Sequence, residues 1–467
     1  MEDQCDIAVV GAGPGGYIAA LRAAQLGKKV ALIEEHKIGG TCMNYGCIPA
    51  KFLLTETKHF CEFKKNSHML GDKDRISLDW ESVQEKRSHV VERLVKGIKF
   101  VIEKNGIHIF HGKAVWEGQK DIIIQENGNS HKIEADKIIL ATGSRSADLP
   151  FVKADGERVI TNKEALALEN IPKSLLIIGA GAIGLEMGTI YQRMGTEVAI
   201  VEIMPTILPE SDEEMVTRLT RMLKKQGLNI CTQMKVEDVR VEKDGVLMKG
   251  FSLKTEEPFS FEAEKLLLAA GRKPNSEWIV SGLPGIKTDR QGFVSVNEKL
   301  ETGKPGVYAI GDLIGGKLLA HKASHEGIVA AENAAGFERK MSYRALPMAV
   351  FTEPEFASIG LTEKEAEEQG IKLRVGRFSL QASGRALSMG KVDGIVKILI
   401  NEDDMIVGGH ILAPNASELI PEITLAMEKN LTIDDLSSAV HIHPTLSEAI
   451  MEAGLKAKNR AFHVLNE

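Results

Sequence analysis

Cys42 and Cys47 are the residues whose type and spacing most directly permit chemistry in this chain of 467 residues. Along a continuous helix they would be separated by about 7.5 Å of axial rise. The Cα atoms of a disulfide usually lie less than about 7 Å apart, so a bond between the two sulfurs would need a bend. Gly46 and Pro49 are suited to make that bend. A disulfide closed under strain is easily reduced, which favours a redox-active pair over a structural one.

Two buried thiols, or half of a metal site, are the alternatives to a redox pair. A zinc site would usually need a second pair of Cys or His ligands. The remaining cysteines, Cys5, Cys61 and Cys231, are scattered singly along the chain. We therefore predict no metal site.

His443 is the candidate acid–base residue. It precedes Pro444 and the helix-start pattern Ser447-Glu448, so a loop with a helix cap is the alternative interpretation. In the functional interpretation, Glu448 orients one ring nitrogen while the other exchanges a proton with a thiol. A thiol enzyme needs such a base, because the thiolate is the nucleophile and ordinary thiols are mostly protonated near neutral pH. Folding, or a second subunit, must bring His443 to the cysteines.

The elements that must position the cysteines begin at the N-terminus. A strand over residues 6–10 is followed by the turn Gly11-Ala12-Gly13-Pro14-Gly15-Gly16, a helical segment over 17–26, a strand over 29–33 and Glu34. This is the pattern of a dinucleotide-binding unit. Its glycines let a pyrophosphate approach the start of the helix, and its acidic residue binds a ribose.

The same unit occurs a second time. A strand over residues 174–178 leads into the turn Gly179-Ala180-Gly181-Ala182-Ile183-Gly184, and a strand over 197–201 leads to Glu202. The first glycine and the acidic residue are 23 positions apart in both units, and closing strands at 137–143 and 265–271 also correspond. This repetition predicts two dinucleotide-binding modules in one chain.

Other elements are predicted from periodicity. Residues 53–104 are helical, with a long amphipathic helix over 80–103, and strands follow at 107–110, 113–116 and 121–125. An apolar strand ending at Gly311-Asp312 returns to the first module and aims Asp312 at a sugar-like hydroxyl, with a plain turn as the alternative. The region after about residue 343 has strands at 394–401 and 405–411 and helices at 416–429 and 447–459. It is either a substrate cap or an oligomer interface.

Composition narrows the function class. The length suggests about three domains, and 43% hydrophobic and 26% charged residues are ordinary for a soluble enzyme. A net charge of −7 does not indicate binding to nucleic acid or to an anionic membrane. Few cysteines, an acidic N-terminus and no apolar run near the roughly 20 residues of a membrane span predict a cytoplasmic protein.

Together these motifs resemble those of the flavoprotein disulfide reductases, the pyridine nucleotide-disulfide oxidoreductase family. The resemblance covers essentially the whole chain, and the motifs that carry it are at 11–16, 39–51, 179–186, 311–312 and 443–448. It implies an α/β fold with two Rossmann-like dinucleotide-binding domains, for FAD and NAD, plus a C-terminal α+β dimerisation domain. The implied domains are 1–147 for FAD, 148–275 for NAD, 276–345 as a central region completing the FAD domain, and 346–467 as the interface.

Residue roles follow from the resemblance. Cys47 would lie beside the flavin and Cys42 would exchange with substrate, while Lys51 would lie near the flavin ring, paired with Glu186. In the implied homodimer, His443 and Glu448 serve the other subunit's cysteines. The implied FAD contacts are Gly11, Gly13, Pro14, Gly15, Gly16, Glu34, Gly40, Thr41, Lys51, Ala114, Thr142, Gly143, Ser144, Asp312, Leu319, Ala320 and His321. The implied NAD contacts are Gly179, Ala180, Gly181, Ala182, Ile183, Gly184, Glu202, Val236 and Gly271.

Within the family, the motifs are most similar to those of members that oxidise protein-bound dihydrolipoamide to lipoamide with NAD+. Such members serve 2-oxoacid dehydrogenase or glycine-cleavage complexes, whose lipoyl domains would be the partners. Glu202 would bind the 2′-hydroxyl of NAD and repel the 2′-phosphate of NADP, and residues 203–209 contain no arginine. The chain departs from the family at Ala50, usually Ser, and at Tyr45, commonly Val.

Three alternatives remain at this point: another disulfide reductase, a mercuric reductase, and a non-catalytic flavin redox sensor. Glutathione-reductase-like relatives are directed to NADP, which Glu202 disfavours. Mercuric reductases usually end in an additional cysteine pair, which the final residues of this chain lack. A sensor would not need Cys42, Cys47 and His443 together.

Overall fold

The computed structural model describes residues 3–65, 77–117 and 121–466. Part of the helical region expected over 53–104 lies outside these residues. The strands are β1 (Asp3–Val10), β2 (Val30–Glu34), β3 (His108–His111), β4 (Lys113–Trp116), β5 (Asp121–Glu126), β6 (Asn129–Leu140), β7 (Ser144–Ser146), β8 (Val159–Ile160), β9 (Ser174–Ile178), β10 (Glu197–Val201), β11 (Asn229–Cys231), β12 (Met234–Val241), β13 (Val246–Ser252), β14 (Pro258–Ala263), β15 (Lys265–Leu268), β16 (Arg272–Pro274), β17 (Val307–Ala309), β18 (Met348–Val350), β19 (Glu355–Gly360), β20 (Arg374–Ser379), β21 (Ile395–Ile400) and β22 (Ile406–Ala413).

Helices alternate with these strands through most of the chain. They are α1 (Pro14–Gln25), α2 (Gly40–Tyr45), α3 (Cys47–Lys65), α4 (Trp80–Lys104), α5 (Asn162–Ala165), α6 (Ala182–Arg193), α7 (Glu213–Lys225), α8 (Glu277–Gly282), α9 (Ala320–Ala334), α10 (Glu363–Glu368), α11 (Gly384–Ser388), α12 (Ala416–Glu428), α13 (Ile433–Ser438) and α14 (Glu448–Ala457). Most observed boundaries lie within two residues of the predicted ones. The observed strands β4, β9 and β10 have the predicted bounds.

The first compact unit contains residues up to 149, 161–170 and 271–341. Its main sheet has parallel strands in the order β3-β2-β1-β6-β17, and β6 extends into an antiparallel meander with β5 and β4. Strand β2 is buried along its whole length, as expected for a parallel strand covered on both faces. Val9, Leu32 and Ile139 form the core together with small residues of α1 and α9. This is a Rossmann-like sheet.

The second compact unit contains residues 150–160, 171–270 and 342–467. It has a parallel sheet in the order β11-β10-β9-β15-β8 and a small antiparallel sheet, β12-β13-β14. Its C-terminal part is an antiparallel sheet in the order β18-β19-β22-β21-β20, against which α12 and α14 pack. The core of that part includes Phe378, Ile398, Ile411 and Ile450.

These sheets give an α/β fold with two Rossmann-like domains and a C-terminal α+β domain, as predicted. The domain boundaries at 147, 275 and 345 stay predictions. In the described part of the chain, no helix is both long and apolar enough to cross a membrane.

Candidate active site

The cysteine pair lies where two helices meet. Cys42 belongs to α2, Gly46 interrupts the helical path with φ −146° and ψ −112°, and Cys47 begins α3. The bend at Gly46 was predicted, but the bend assigned to Pro49 was wrong. Pro49 lies inside the first turn of α3, where the missing N–H of proline costs no helical hydrogen bond.

The two cysteines are thiols in this structure. A hydrogen bond with Cys47, followed by burial, raises the pKa of Cys42, whereas the positive charge of Lys51 acts to lower it. The two thiols are thus close enough to interact, as a pair that closes to a disulfide must be. The geometry favours a redox-active pair over two unrelated buried thiols.

The segment that carries Cys42 is attached to the first glycine-rich turn. The backbone N–H of Gly39 donates to the carbonyl of Ala12 at 2.8 Å. Gly40 has a φ of +55°, and a Cβ there would lie 2.7 Å from Gly13 Cα, so a side chain at position 40 would push the two segments apart. The Asn44 amide donates to the carbonyls of residues 38 and 40 at 3.0 and 2.9 Å. The redox segment and the predicted pyrophosphate site are therefore neighbours.

The two glycine-rich turns have nearly the same geometry. Gly11 and Gly179 have φ values of +102° and +107°, and a Cβ there would lie 2.3 or 2.4 Å from a backbone carbonyl oxygen. In contrast, a Cβ at Gly13 or Gly181 would have none of the described heavy atoms within 4 Å. Open space at the start of α1 and α6 fits the close approach of a pyrophosphate.

Each turn is closed by a buried carboxylate. Glu34 and Glu202 are both 8% exposed. Each accepts hydrogen bonds at 2.7–2.9 Å from two backbone N–H groups, those of Ala12 and His36 for Glu34 and those of Ala180 and Met204 for Glu202. A carboxylate has about four acceptor sites, so both groups keep acceptor capacity for ribose hydroxyls. The residues fit two dinucleotides.

A polar cluster surrounds Asp312. The Ser144 hydroxyl donates to Asp312 at 2.5 Å, and the Arg272 guanidinium donates to the hydroxyl and the carbonyl of Ser144, both at 2.7 Å. Burial lowers the pKa of Arg272, while the charges of Asp312 and Cys47 oppose that effect. Sequence reasoning did not select Arg272, although it directly follows Gly271 of the predicted NAD set.

The Gly311-Asp312 turn is held by a buried ion pair that sequence reasoning also missed. Lys322 and Glu326 are 2.8 Å apart, with side chains 2% and 0% exposed. Glu326 accepts from the Gly311 N–H at 2.7 Å. The signal was present in the sequence, because residues four apart on a helix are neighbours. This pair makes the turn a fixed part of the first unit.

The other predicted FAD residues all belong to the first unit. The Thr142 hydroxyl donates to the Asn275 carbonyl at 3.0 Å, and Gly143 has a φ of +65°. The remainder are Pro14, Gly15 and Gly16 at the start of α1, Thr41 in α2, Lys51 in α3, Ala114 in β4, Leu319 at the N-cap of α9, and Ala320 and His321 in its first turn. Their contact with FAD stays a prediction.

The predicted NAD residues are divided between the units. Ala182, Ile183 and Gly184 form the first turn of α6, and Val236 lies in β12. Gly271, with a φ of +136°, belongs to the first unit. Glu186 lies in α6, is 5% exposed and accepts from the Phe351 N–H at 3.1 Å. Its pairing with Lys51 stays a prediction.

His443 and Glu448 form the predicted pair. Nδ1 of His443 lies 2.8 Å from a Glu448 oxygen, and the other Glu448 oxygen accepts from the Thr445 N–H at 2.8 Å. Burial acts to raise the pKa of Glu448, but the hydrogen bonds from Thr445 and His443 outweigh it and lower the pKa. The loop also exposes Val440 and Ile442, which are 99% and 77% accessible. Glu448 thus orients an imidazole on an apolar, exposed loop.

Comparisons with known proteins agree with this arrangement. The chain matches the family model described as pyridine nucleotide-disulphide oxidoreductase over residues 5–327 and the model of its dimerisation domain over 346–454. Dihydrolipoyl dehydrogenase of Thermus scotoductus is 42% identical over 99% of both chains. The Bacillus subtilis enzyme of the same name is 38% identical over 99% of this chain and 98% of its own.

A solved structure extends the agreement to the fold. The crystal structure of LpdA from Mycobacterium tuberculosis has a TM-score of 0.89 and 26% identity, covering 97% of this chain and 99% of that one. The predicted fold class, the two cofactors and the disulfide-oxidoreductase assignment are confirmed. The chain therefore belongs to the pyridine nucleotide-disulphide oxidoreductases, a family of enzymes that use FAD and NAD.

Proposed function

We propose that this protein is an NAD+-dependent dihydrolipoyl dehydrogenase that oxidises protein-bound dihydrolipoamide. The observation that carries the proposal is the Cys42–Cys47 pair, which is in hydrogen-bonding contact and attached to the first dinucleotide-binding turn. The full-length similarity to enzymes named dihydrolipoyl dehydrogenase supports the choice of substrate within the family.

The proposal assigns each nucleotide to one of the two glycine-rich turns. FAD would be held by the turn at Gly11–Gly16 with Glu34 and Asp312, and NAD by the turn at 179–184 with Glu202. Bound FAD supplies the two-electron exchange that links thiols to a nicotinamide. The Glu202 carboxylate favours NAD over NADP, because it would repel a 2′-phosphate.

The cysteines carry the thiol exchange. A dihydrolipoyl thiolate attacks Cys42 Sγ, which forms a mixed disulfide and breaks the Cys42–Cys47 bond with release of the Cys47 thiolate. The second dihydrolipoyl thiol, once deprotonated, attacks the substrate sulfur of the mixed disulfide, which breaks the bond to Cys42 and releases the Cys42 thiolate. Oxidised lipoyl leaves, and the enzyme retains two electrons as its reduced cysteine pair.

His443 takes the substrate proton, with Glu448 holding its ring. The site we propose combines the cysteines of one subunit with the partner subunit's His443, as in the family's homodimers. Two observations support that arrangement. The His443 side chain is 80% exposed in the single chain, and its loop also exposes Val440 and Ile442. The proposal also places the enzyme in the cytoplasm. Its substrates would be the lipoyl domains of a 2-oxoacid dehydrogenase or glycine-cleavage complex.

The test is an assay of the purified FAD-loaded enzyme with dihydrolipoamide and NAD+, beside NADP+, glutathione disulfide and Hg²⁺ as rival substrates. Cys42→Ser and Cys47→Ser should each abolish dihydrolipoamide turnover while retaining bound FAD. Retained turnover in either variant, or turnover of glutathione disulfide alone, would show the assignment to be wrong.

A further inference from the structure

The short helix α5 contacts the segment between the two cysteines. Asn162, its first residue, is 7% exposed, and its amide Nδ2 donates to the Tyr45 carbonyl at 2.5 Å. The other end of the same side chain accepts from the Ser146 hydroxyl at 2.9 Å. The carboxamide therefore has its donor and acceptor ends both engaged, and the Tyr45 carbonyl, which can only accept, sets which end faces it.

The side chain of Tyr45 is held from the same helix. Lys163, which follows Asn162, places its ammonium 5.4 Å from the centroid of the Tyr45 ring. Lys37 places a second ammonium 5.6 Å from that centroid. Both distances fall within the range of a cation–π contact. Tyr45 is thus held both by its backbone carbonyl and by its ring. The valine common at this position in the family has no ring for the two lysines to contact.

Tyr45 lies between the two cysteines in the chain, so the contacts that hold it also bear on the position of the thiols. Tyr45 is the last residue of α2, and its carbonyl is among those that a helix end leaves without an intrahelical partner. Cys42 lies three residues before it and Cys47 two residues after it, across the break at Gly46. The helical hydrogen-bond pattern of α2 ends at this break, so a contact from outside the two helices adds to what holds their ends together.

The helix that supplies the contact is itself fixed. Thr161 and Glu164 form a capping box at its start, with the Thr161 N–H donating to Glu164 at 3.0 Å. Ser146 lies in β7, opposite Arg272 of β16. Through Ser146, the Asn162 side chain that binds Tyr45 is therefore connected to the β7–β16 strand pair of the first unit.

We propose that Asn162 and Lys163, named here the α5 clamp, keep Cys42 and Cys47 within bonding reach and so set the redox potential of their disulfide. Asn162 is a positioning residue, since it acts on the thiols through the Tyr45 backbone. The inference rests on the proposed function only in requiring that the pair cycles between disulfide and dithiol. It assigns no role to the substrate.

The sign of the effect follows from chain entropy. In the oxidised form the sulfur–sulfur bond itself restrains the two helix ends, whereas in the reduced form the clamp supplies a larger share of their restraint. Loss of the clamp therefore gives more new conformations to the dithiol than to the disulfide. The dithiol becomes relatively more stable, and the disulfide becomes easier to reduce.

The experiment equilibrates FAD-loaded enzyme in buffers of varied dithiothreitol to oxidised dithiothreitol ratio, then traps thiols by alkylation and maps Cys42 and Cys47 by mass spectrometry. Each reduction takes two electrons and two protons from dithiothreitol, which closes to its cyclic disulfide. Asn162→Ala should shift the midpoint ratio about tenfold toward easier reduction, or about 30 mV for a two-electron couple. Flavin content should stay at the wild-type level.

The matched control is Asn333→Ala. Asn333 is 6% exposed and its amide also donates to backbone carbonyls of the first unit, at 2.8 and 2.9 Å, but it does not contact the segment between the cysteines. Its loss should leave the midpoint within twofold of wild type. An equal shift in this control would assign the effect to general loosening and would overturn the clamp.

Two further variants keep the inference testable should Asn162→Ala not fold. Ser146→Ala removes one of the two partners that hold the Asn162 carboxamide, and Tyr45→Val removes the ring, so each should shift the midpoint in the same direction by a smaller factor. Unchanged midpoints in both would overturn the clamp. If Cys42 and Cys47 of the wild-type enzyme never form a disulfide in this titration, the proposed function and the clamp are both overturned. If the wild-type pair does form a disulfide and Asn162→Ala has the same midpoint ratio, the clamp alone is overturned.

Discussion

Replacement of Glu448 by glutamine is the sharpest test of the acid–base pair. Glu448→Gln keeps the length of the side chain and one oxygen that can accept from His443 Nδ1, but it removes the negative charge and turns an NH2 group, which cannot accept, toward the Thr445 N–H. The original contact is 2.8 Å. Glu448→Ala removes the acceptor altogether and also the bond to the Thr445 N–H at 2.8 Å. Both variants lose the bond to the Thr445 N–H, so the difference between them reports the contact to His443 that Glu448→Gln keeps.

The expected magnitude follows from that contact. A hydrogen bond to a charged group contributes about 1.5–3 kcal/mol, roughly twice the contribution of a neutral bond. Loss of the charge alone should therefore cost about 1.5 kcal/mol of transition-state stabilisation, or about tenfold in kcat. Loss of the whole contact should cost about 3 kcal/mol, or about 100-fold in kcat.

The assay is dihydrolipoamide-dependent NADH formation, with the dimer verified by sedimentation. The chain provides a matched control, because His441 lies two residues before His443 and contacts Glu422 at the same distance, 2.8 Å. We assign no chemistry to that pair. Glu422→Gln should therefore leave kcat within twofold of wild type.

Two results would refute this reasoning. The first is a folded, dimeric Glu448→Gln variant with kcat within twofold of wild type. The second is a Glu422→Gln variant that loses as much activity as Glu448→Gln, because the effect would then belong to the loop and not to the oriented imidazole of His443.

Three other predictions concern stability and cofactor choice. The ammonium of Lys397, which is 1% exposed, lies 2.8 Å from the buried carboxylate of Asp212. Because Lys397→Met would leave that carboxylate without its cation, it should lower the free energy of unfolding in urea by about 3–5 kcal/mol. The exposed Lys372→Met should change it by less than about 0.5 kcal/mol. Glu202→Gln should raise the ratio of kcat/KM for NADP+ to that for NAD+ by about tenfold, because it removes the charge that repels a 2′-phosphate. Although burial acts to raise it, ion pairs lower the pKa of Glu214 to about 2 in the folded protein. The resulting stabilisation is present above its usual pKa near 4.5 and is lost as the pH falls toward 2, so the difference in urea midpoint between wild type and Glu214→Gln should vanish over that interval.

Local pattern was sufficient to predict the nucleotide-binding turns. Gly11 and Gly179 are required because their φ values, +102° and +107°, and a close carbonyl exclude a side chain. Their spacing to Glu34 and Glu202 was readable because strand, turn and helix follow one another within about 25 residues. The break at Gly46 was predicted from the reach of a disulfide. Such features depend on neighbours in sequence.

Only the tertiary structure decided which distant polar groups meet. Asn162 reaches the Tyr45 carbonyl across 117 residues, and Lys397 reaches Asp212 across 185. Asn162 reads locally as a helix-start residue, and Lys397 interrupts an otherwise apolar strand. Burial of a polar side chain is tolerated only where a partner satisfies it, and no periodicity or motif along the chain records where that partner lies.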